Sequence, residues 1–265
     1  MVSAWDVPRK LKMLLYGDTG TGKTTIWATF PKPIKAYICS GIDEPGELLS
    51  IDTPENRKSI DPEFVTDIAQ LQNLPDLSKY GTVVLDHVTG VQDYIIKEYM
   101  GLDHMPIVKT RKAAKGESFG IVPQADWTEI NTISIKIFRE FLNLRANVVL
   151  VCQERLYKTK EEVQSDIIKP SIGGAASPQV ISWLNPTCDY IVQAYKRPHM
   201  VETSTLVNGK KVAMMQRGEG VEYCLRTEPH DIYITKFRVP KGRPLPASIV
   251  DASYEKIVKV IEGRG

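Results

Sequence analysis

The chain has 265 residues, 42% of them hydrophobic and 25% charged, with a formal net charge of +2. That is enough apolar material for one full core, and the charge is too balanced for a protein that coats nucleic acid by bulk positive charge. There is no apolar run of ~18 residues, the opening Met1-Val2-Ser3-Ala4-Trp5-Asp6 has no signal-peptide pattern, and Cys39, Cys152, Cys188 and Cys224 form no C-x-x-C pair. The expectation is a soluble, cytoplasmic protein without membrane association, disulfides or cysteine-bound metal.

In chain order, an apolar strand is expected at 11–16, and it runs directly into Gly17-Asp18-Thr19-Gly20-Thr21-Gly22-Lys23-Thr24, which fits the phosphate-loop pattern G-x-x-x-x-G-K-[ST]. The glycines let consecutive backbone N–H groups turn inward around an anion, Lys23 reaches the outer phosphates, and the Thr24 hydroxyl suits Mg²⁺. Thr25 continues into a helix over 23–29. Residues 17–25 are therefore the nucleotide-binding candidates, with ATP and Mg²⁺ as cofactors.

Strands are expected next at 34–40, 82–85 and 147–152, separated by helices at 62–71, 91–100 and 126–144. This alternation implies a mostly parallel central sheet with helices on both faces. In 126–144, Trp127, Ile130, Ile133, Ile137, Phe138, Phe141 and Leu142 recur every three or four residues, giving one broad apolar face. Beyond Cys152 the character changes. Residues 156–169 are polar, and Pro170-Ser171-Ile172-Gly173-Gly174-Ala175-Ala176 reads as a mobile or ligand-ordered loop with a hinge at Gly173-Gly174. A strand meander is then expected at 189–195, 200–207, 211–216, 222–226 and 232–238, turning at Asn208-Gly209, with a closing helix at 254–261. The whole chain, 1–265, reads as a single domain: a nucleotide-binding core at 10–155, then the second loop, C-terminal strands and closing helix at 156–265.

Three strand ends complete the candidate site. Tyr80-Gly81-Thr82-Val83-Val84-Leu85-Asp86 has the form of a Walker B segment, whose Asp86 carboxylate helps to hold the Mg²⁺ shell. The strand at 34–40 runs into Gly41-Ile42-Asp43-Glu44 at the carboxyl edge of the sheet, where ligands bind in open α/β folds, and a water-activating base is read at Glu44, with Asp43 as the alternative. The strand 147–152 ends in Gln153, whose amide can report the γ-phosphate state to the following loop.

The order of these pieces resembles the RecA-like P-loop ATPases and, within them, the small phage-encoded recombination ATPases implicated in single-strand annealing. The resemblance rests on 17–25, on Thr82-Val83-Val84-Leu85-Asp86-His87-Val88-Thr89-Gly90, on 148–154 and on Ile232-Tyr233-Ile234-Thr235-Lys236-Phe237-Arg238. It implies an ATP-hydrolysing DNA recombination protein that binds single-stranded DNA and works as a homo-oligomer, ring or filament, with ATP at subunit interfaces. A single-strand-binding protein is a further candidate partner. It also implies that Lys236 and Arg238, on one face of a strand, reach a neighbouring subunit's phosphates. His87 stands where the phage family often has a small hydroxyl residue.

Lys109-Thr110-Arg111-Lys112-Ala113-Ala114-Lys115 carries four cations and no acid, and the resemblance places a DNA-binding loop there. Lys109, Arg111, Lys112 and Lys115 suit phosphate-backbone contact without base reading. A second function class stays open: a nucleotide-dependent loader or switch acting on another replication protein.

Overall fold

The computed structural model describes residues 9–40, 46–99, 101, 122, 126–160, 168–207 and 210–263. The chain opens with strand β1 (Lys12–Gly17), helix α1 (Lys23–Trp27) and strand β2 (Ile34–Ile38), followed by a 3-10 helix at Gly46–Ile51. Helix α2 (Pro54–Ser59) then leads into strand β3 (Ile60–Phe64), short helix α3 (Ala69–Gln72), strand β4 (Thr82–Asp86) and helix α4 (Val88–Tyr99). Helix α5 (Trp127–Asn143), strands β5 (Asn147–Lys160) and β6 (Ile168–Gly174) and helix α6 (Pro178–Thr187) follow. The C-terminal part holds strands β7 (Tyr190–Val207), β8 (Lys210–Arg226), β9 (Lys236–Phe237) and β10 (Ser248–Val250), then helix α7 (Tyr254–Glu262).

One sheet runs β10-β8-β7-β1-β5-β4-β2-β3, with β6 on β5 and β9 on β7. From β7 to β3 every pairing is parallel; β8, β10, β6 and β9 pair antiparallel. The parallel strands are buried on both faces, as continuous apolar runs require: Met13, Leu14, Leu15 and Tyr16 are all fully buried. Successive side chains alternate between two cores. Leu14 and Tyr16 join the core under α4, α5 and α6, whereas Met13 and Leu15 join the core of Trp27, Phe30 and Ile257 beneath α1 and α7. Helix α5 buries Ile130, Ser134, Ile137, Phe138 and Phe141 along the expected stripe. This is the expected α/β P-loop NTPase fold with a strand-rich C-terminal part.

Several expected elements differ. The stretch 62–71 is not one helix: it divides between β3, where Pro62 is tolerated because β3 lies at the sheet edge, and α3. Residues 170–174 are not a loop but part of β6, paired with β5. Helix α6 follows directly, started by Ser177, whose Oγ accepts a hydrogen bond from Val180 N (3.3 Å), with Pro178 in the first turn. The meander is one long β7–β8 ribbon with a register shift between Pro198 and Met200, and only Lys236–Phe237 of 232–238 is strand. The Asn208-Gly209 turn lies outside the described residues.

Candidate functional site

The parallel register decides what converges. Gly17 of β1 is level with Gln153 of β5, and Asp86 of β4 is level with Val151, so the phosphate loop, Gln153 and Asp86 all end at the carboxyl edge of three consecutive strands. Helix α4 is held hard against the end of β2. A Cβ on Gly90 would lie 1.7 Å from the Cys39 carbonyl oxygen, so glycine is required there by close approach. His87 performs the capping that a small hydroxyl would otherwise provide, its Nδ1 accepting from Gly90 N (2.9 Å). Burial lowers the His87 pKa, which keeps Nδ1 free as an acceptor.

The loop itself is a cradle. Gly20 and Gly22 sit at φ values of +71 and +83, which L side chains rarely adopt. Lys23 Nζ donates to Gly17 O (2.9 Å) and Asp18 O (2.8 Å), so its ammonium rests on the loop's own carbonyls. Burial lowers its pKa, opposed by the nearby charges of Asp86 and Asp18. An incoming phosphate offers this ammonium stronger, charged acceptors in place of neutral carbonyls.

Asp86 is 9% exposed, and its Oδ2 accepts from Trp27 Nε1 (3.1 Å). Burial pushes its carboxyl pKa up, while the indole hydrogen bond and Lys23 pull it down. A buried carboxylate with one neutral donor, at the same carboxyl edge of the sheet as the loop that carries the Thr24 hydroxyl, is a donor set suited to a hard divalent cation that completes its shell with phosphate oxygens and water. Thr24 and Asp86 would hold Mg²⁺, which when bound spreads the negative charge of the phosphates. Gln153 is exposed, and its backbone carbonyl accepts from Ala175 N (2.7 Å), tying the end of β6 to the site.

A cavity of about 640 Å³ opens over Gly20 to Thr25 and is closed by Ser50, Tyr223, Asp251 and Ser253. This volume is within the roughly 300–1,000 Å³ of ordinary cofactor sites. The wall residues were not legible locally, because Tyr223 and Asp251 come from β8 and the end of β10, far along the chain; Asp251 N donates to Tyr223 O (2.7 Å). Trp27 also escaped the sequence reading. So did Glu47, in the first turn of the 3-10 helix, whose carboxyl pKa is raised by burial and by the charge of Asp86.

Glu44 and Asp43 lie outside the described residues, as do Lys109, Arg111, Lys112 and Lys115. Lys236 and Arg238 are not beside the phosphate loop of their own chain. β9 pairs with Tyr190 and Ile191, level with Met13 and Leu14, at the opposite end of the β1–β7 pairing from Ala194, which faces Gly17. Lys236 Nζ donates to the carbonyls of Asn185 (3.0 Å), Pro186 (2.9 Å) and Cys188 (2.7 Å), closing the end of α6, and Arg238 Nη1 pairs with Asp189 Oδ1 (2.7 Å). Among the described residues the two cations have separate partners.

A family model described as an AAA domain matches residues 9–239, and the chain belongs to that family. Nucleotide binding by a P-loop ATPase domain is therefore the class that fold and site define. No curated protein matches. Among solved structures, the flagellar accessory protein FlaH from Methanocaldococcus jannaschii is 6% identical, covering 91% of this chain and 84% of its own, with a TM-score of 0.41. The RadB recombinase is 16% identical (85% and 90% covered, TM-score 0.36), and the KaiC-like protein PH0186 from Pyrococcus horikoshii OT3 is 11% identical (82% and 86%, TM-score 0.36). No described helix is long and apolar enough to cross a membrane.

Proposed function

We propose that this chain is a Mg²⁺-dependent ATPase of DNA recombination, phage-encoded, which binds single-stranded DNA and promotes annealing or strand pairing as a homo-oligomer. The observation that carries the ATPase reading is that the phosphate loop, Asp86 and Gln153 end together at the carboxyl edge of three consecutive strands, beside a cavity that opens over Gly20 to Thr25. In this reading Lys23 and the loop N–H groups hold the β- and γ-phosphates, Asp86 anchors the metal shell, Gln153 reports the γ-phosphate state to the ribbon that follows, and the base is Glu44 or Asp43, with Glu47 a further carboxylate near Asp86. DNA contact is supported by the cations at 109–115 and by the β5–β6 ribbon, which begins directly after Gln153 and carries Arg155, Lys158, Lys160 and Lys169 in its two strands. Of the two cations proposed to reach a neighbour's phosphates, Arg238 is the better placed, being exposed and held by a single surface carboxylate.

The test is hydrolysis with and without single-stranded DNA, beside a salt titration of DNA affinity. Stimulated turnover is expected. Replacing Lys109, Arg111, Lys112 and Lys115 by Ala should weaken DNA binding on all sequences, flatten the salt slope and leave basal turnover intact. ATP binding without DNA affinity would instead favour the loader.

A further inference from the structure

The base of the β7–β8 ribbon lies on the phosphate loop. Lys196 of β7 faces Tyr223 of β8 in register, so the two side chains share one face of the ribbon. Both reach the loop at its glycines. A Cβ on Gly22 would lie 3.4 Å from Tyr223 Cδ1, and one on Gly20 would lie 3.7 Å from Lys196 Nζ. Lys196 is exposed and has no hydrogen bond or ion pair among the described residues. The carboxylate of Glu222, next in register, is taken up by Arg197 (2.7 Å) and does not pair with Lys196.

Lys23 Nζ, resting on the carbonyls of Gly17 and Asp18, and Lys196 Nζ, beside Gly20, thus border one glycine cradle. A polyphosphate at this loop carries more negative charge than one ammonium neutralises, so a second cation beside the glycines has an anion to meet. We propose that Lys196 is a second phosphate-binding cation for the polyphosphate held by the 17–24 loop, supplied by the ribbon; this rests on the nucleotide-binding reading above. The ammonium is a point charge on a flexible stem, suited to following a phosphate chain without a fixed bidentate geometry. Because Lys196 sits where the ribbon leaves the sheet, the contact also fastens the ribbon base to the occupied loop. Nothing in the local sequence around Lys196 marks it, since it owes its position to the parallel pairing of β7 with β1.

The test measures affinity of the wild type, Lys196→Ala and Lys196→Arg for ATP with Mg²⁺, for inorganic tripolyphosphate and for AMP, at two salt concentrations. Loss of one charge-assisted contact should weaken ATP and tripolyphosphate binding about 10- to 100-fold, leave AMP nearly unaffected and flatten the salt dependence. Lys196→Arg should keep most of the affinity. The ligand-free melting temperature of Lys196→Ala should match the wild type, because no internal bond is lost. Lys196→Ala protein that binds ATP and tripolyphosphate as the wild type does, or that loses AMP equally, would overturn the assignment. If the wild type binds and Lys23→Ala does not, that failure is confined to Lys196; if the wild type binds neither ATP nor tripolyphosphate, the nucleotide reading falls as well.

Discussion

Replacing Trp27 by Phe isolates the one described donor to the buried Asp86 carboxylate. The indole is fully buried, and its Nε1–H points at Oδ2 across 3.1 Å. Losing a hydrogen bond to a charged group costs roughly 1.5–3 kcal/mol, and the gap left by the smaller ring adds about 1 kcal/mol. For a chain of this size each kcal/mol moves the melting temperature by roughly 2–4 °C, so the ligand-free variant should melt roughly 5–15 °C lower at neutral pH. The deficit depends on pH with a defined sign. Burial holds the folded Asp86 carboxyl above its ordinary 3.8, so its contribution to stability is fully present below that value and is lost as pH rises through the folded pKa. Removing the indole raises the folded pKa further, so the deficit should grow from acid to neutral pH. In an Asp86→Ala background the same substitution should show only the packing part, about 1 kcal/mol. Thermal melts of the four proteins at pH 4 and pH 7.5 make the comparison, and equal losses in both backgrounds and at both pH values would mean that the indole is packing alone.

Gly90→Ala forces a methyl against the Cys39 carbonyl, so it should cost about 1–3 kcal/mol or more and also weaken nucleotide binding by shifting the end of β4; unchanged denaturant midpoint and ATP affinity would count against the tight α4–β2 approach. Lys236→Met should lower the melting temperature by several degrees, because three carbonyls at the end of α6 lose their donor, whereas Arg238→Ala should barely alter it, its ion pair being on the surface. Equal effects would remove the distinction between a structural and an available cation. Asp93, pushed up to about 6 by burial, disfavours the folded state once ionised, so Asp93→Asn should raise the melting temperature at pH 7.5 and leave it unchanged near pH 4. A gain at both pH values would show that charge is not its cause.

What was legible in the sequence was local. The phosphate loop is a contiguous run whose glycines and lysine act together, and Asp86 and Gln153 follow from apolar strands ending in polar residues. Helix α5 was plain from its periodicity. The rest depends on distant pairing. Gly173 and Gly174 look like a hinge, yet in β6 they admit close neighbours: a Cβ on Gly173 would lie 2.9 Å from Ile234 Cδ1, and one on Gly174 3.2 Å from Cys152 Sγ. Ser177-Pro178 was a readable helix start that the glycine-rich run before it obscured. The alternation of Lys236 and Arg238 suggested one shared anion, but β9 is too short to fix that geometry, and carbonyls of α6 capture Lys236. Tyr223 and Lys196 reach the loop only because β7 pairs with β1 and β8 with β7, long-range register that no local pattern specifies.

The central claim is that the 17–25 loop holds a nucleoside triphosphate, and calorimetric titration of ATP with Mg²⁺ into the wild type and Lys23→Ala tests it most directly. The account predicts one saturable site per chain in the wild type and a large loss of affinity in Lys23→Ala, with little change in ligand-free melting temperature, since among the described residues Lys23 donates only to loop carbonyls. Absence of heat in the wild type, or equal affinity in both proteins, would contradict it.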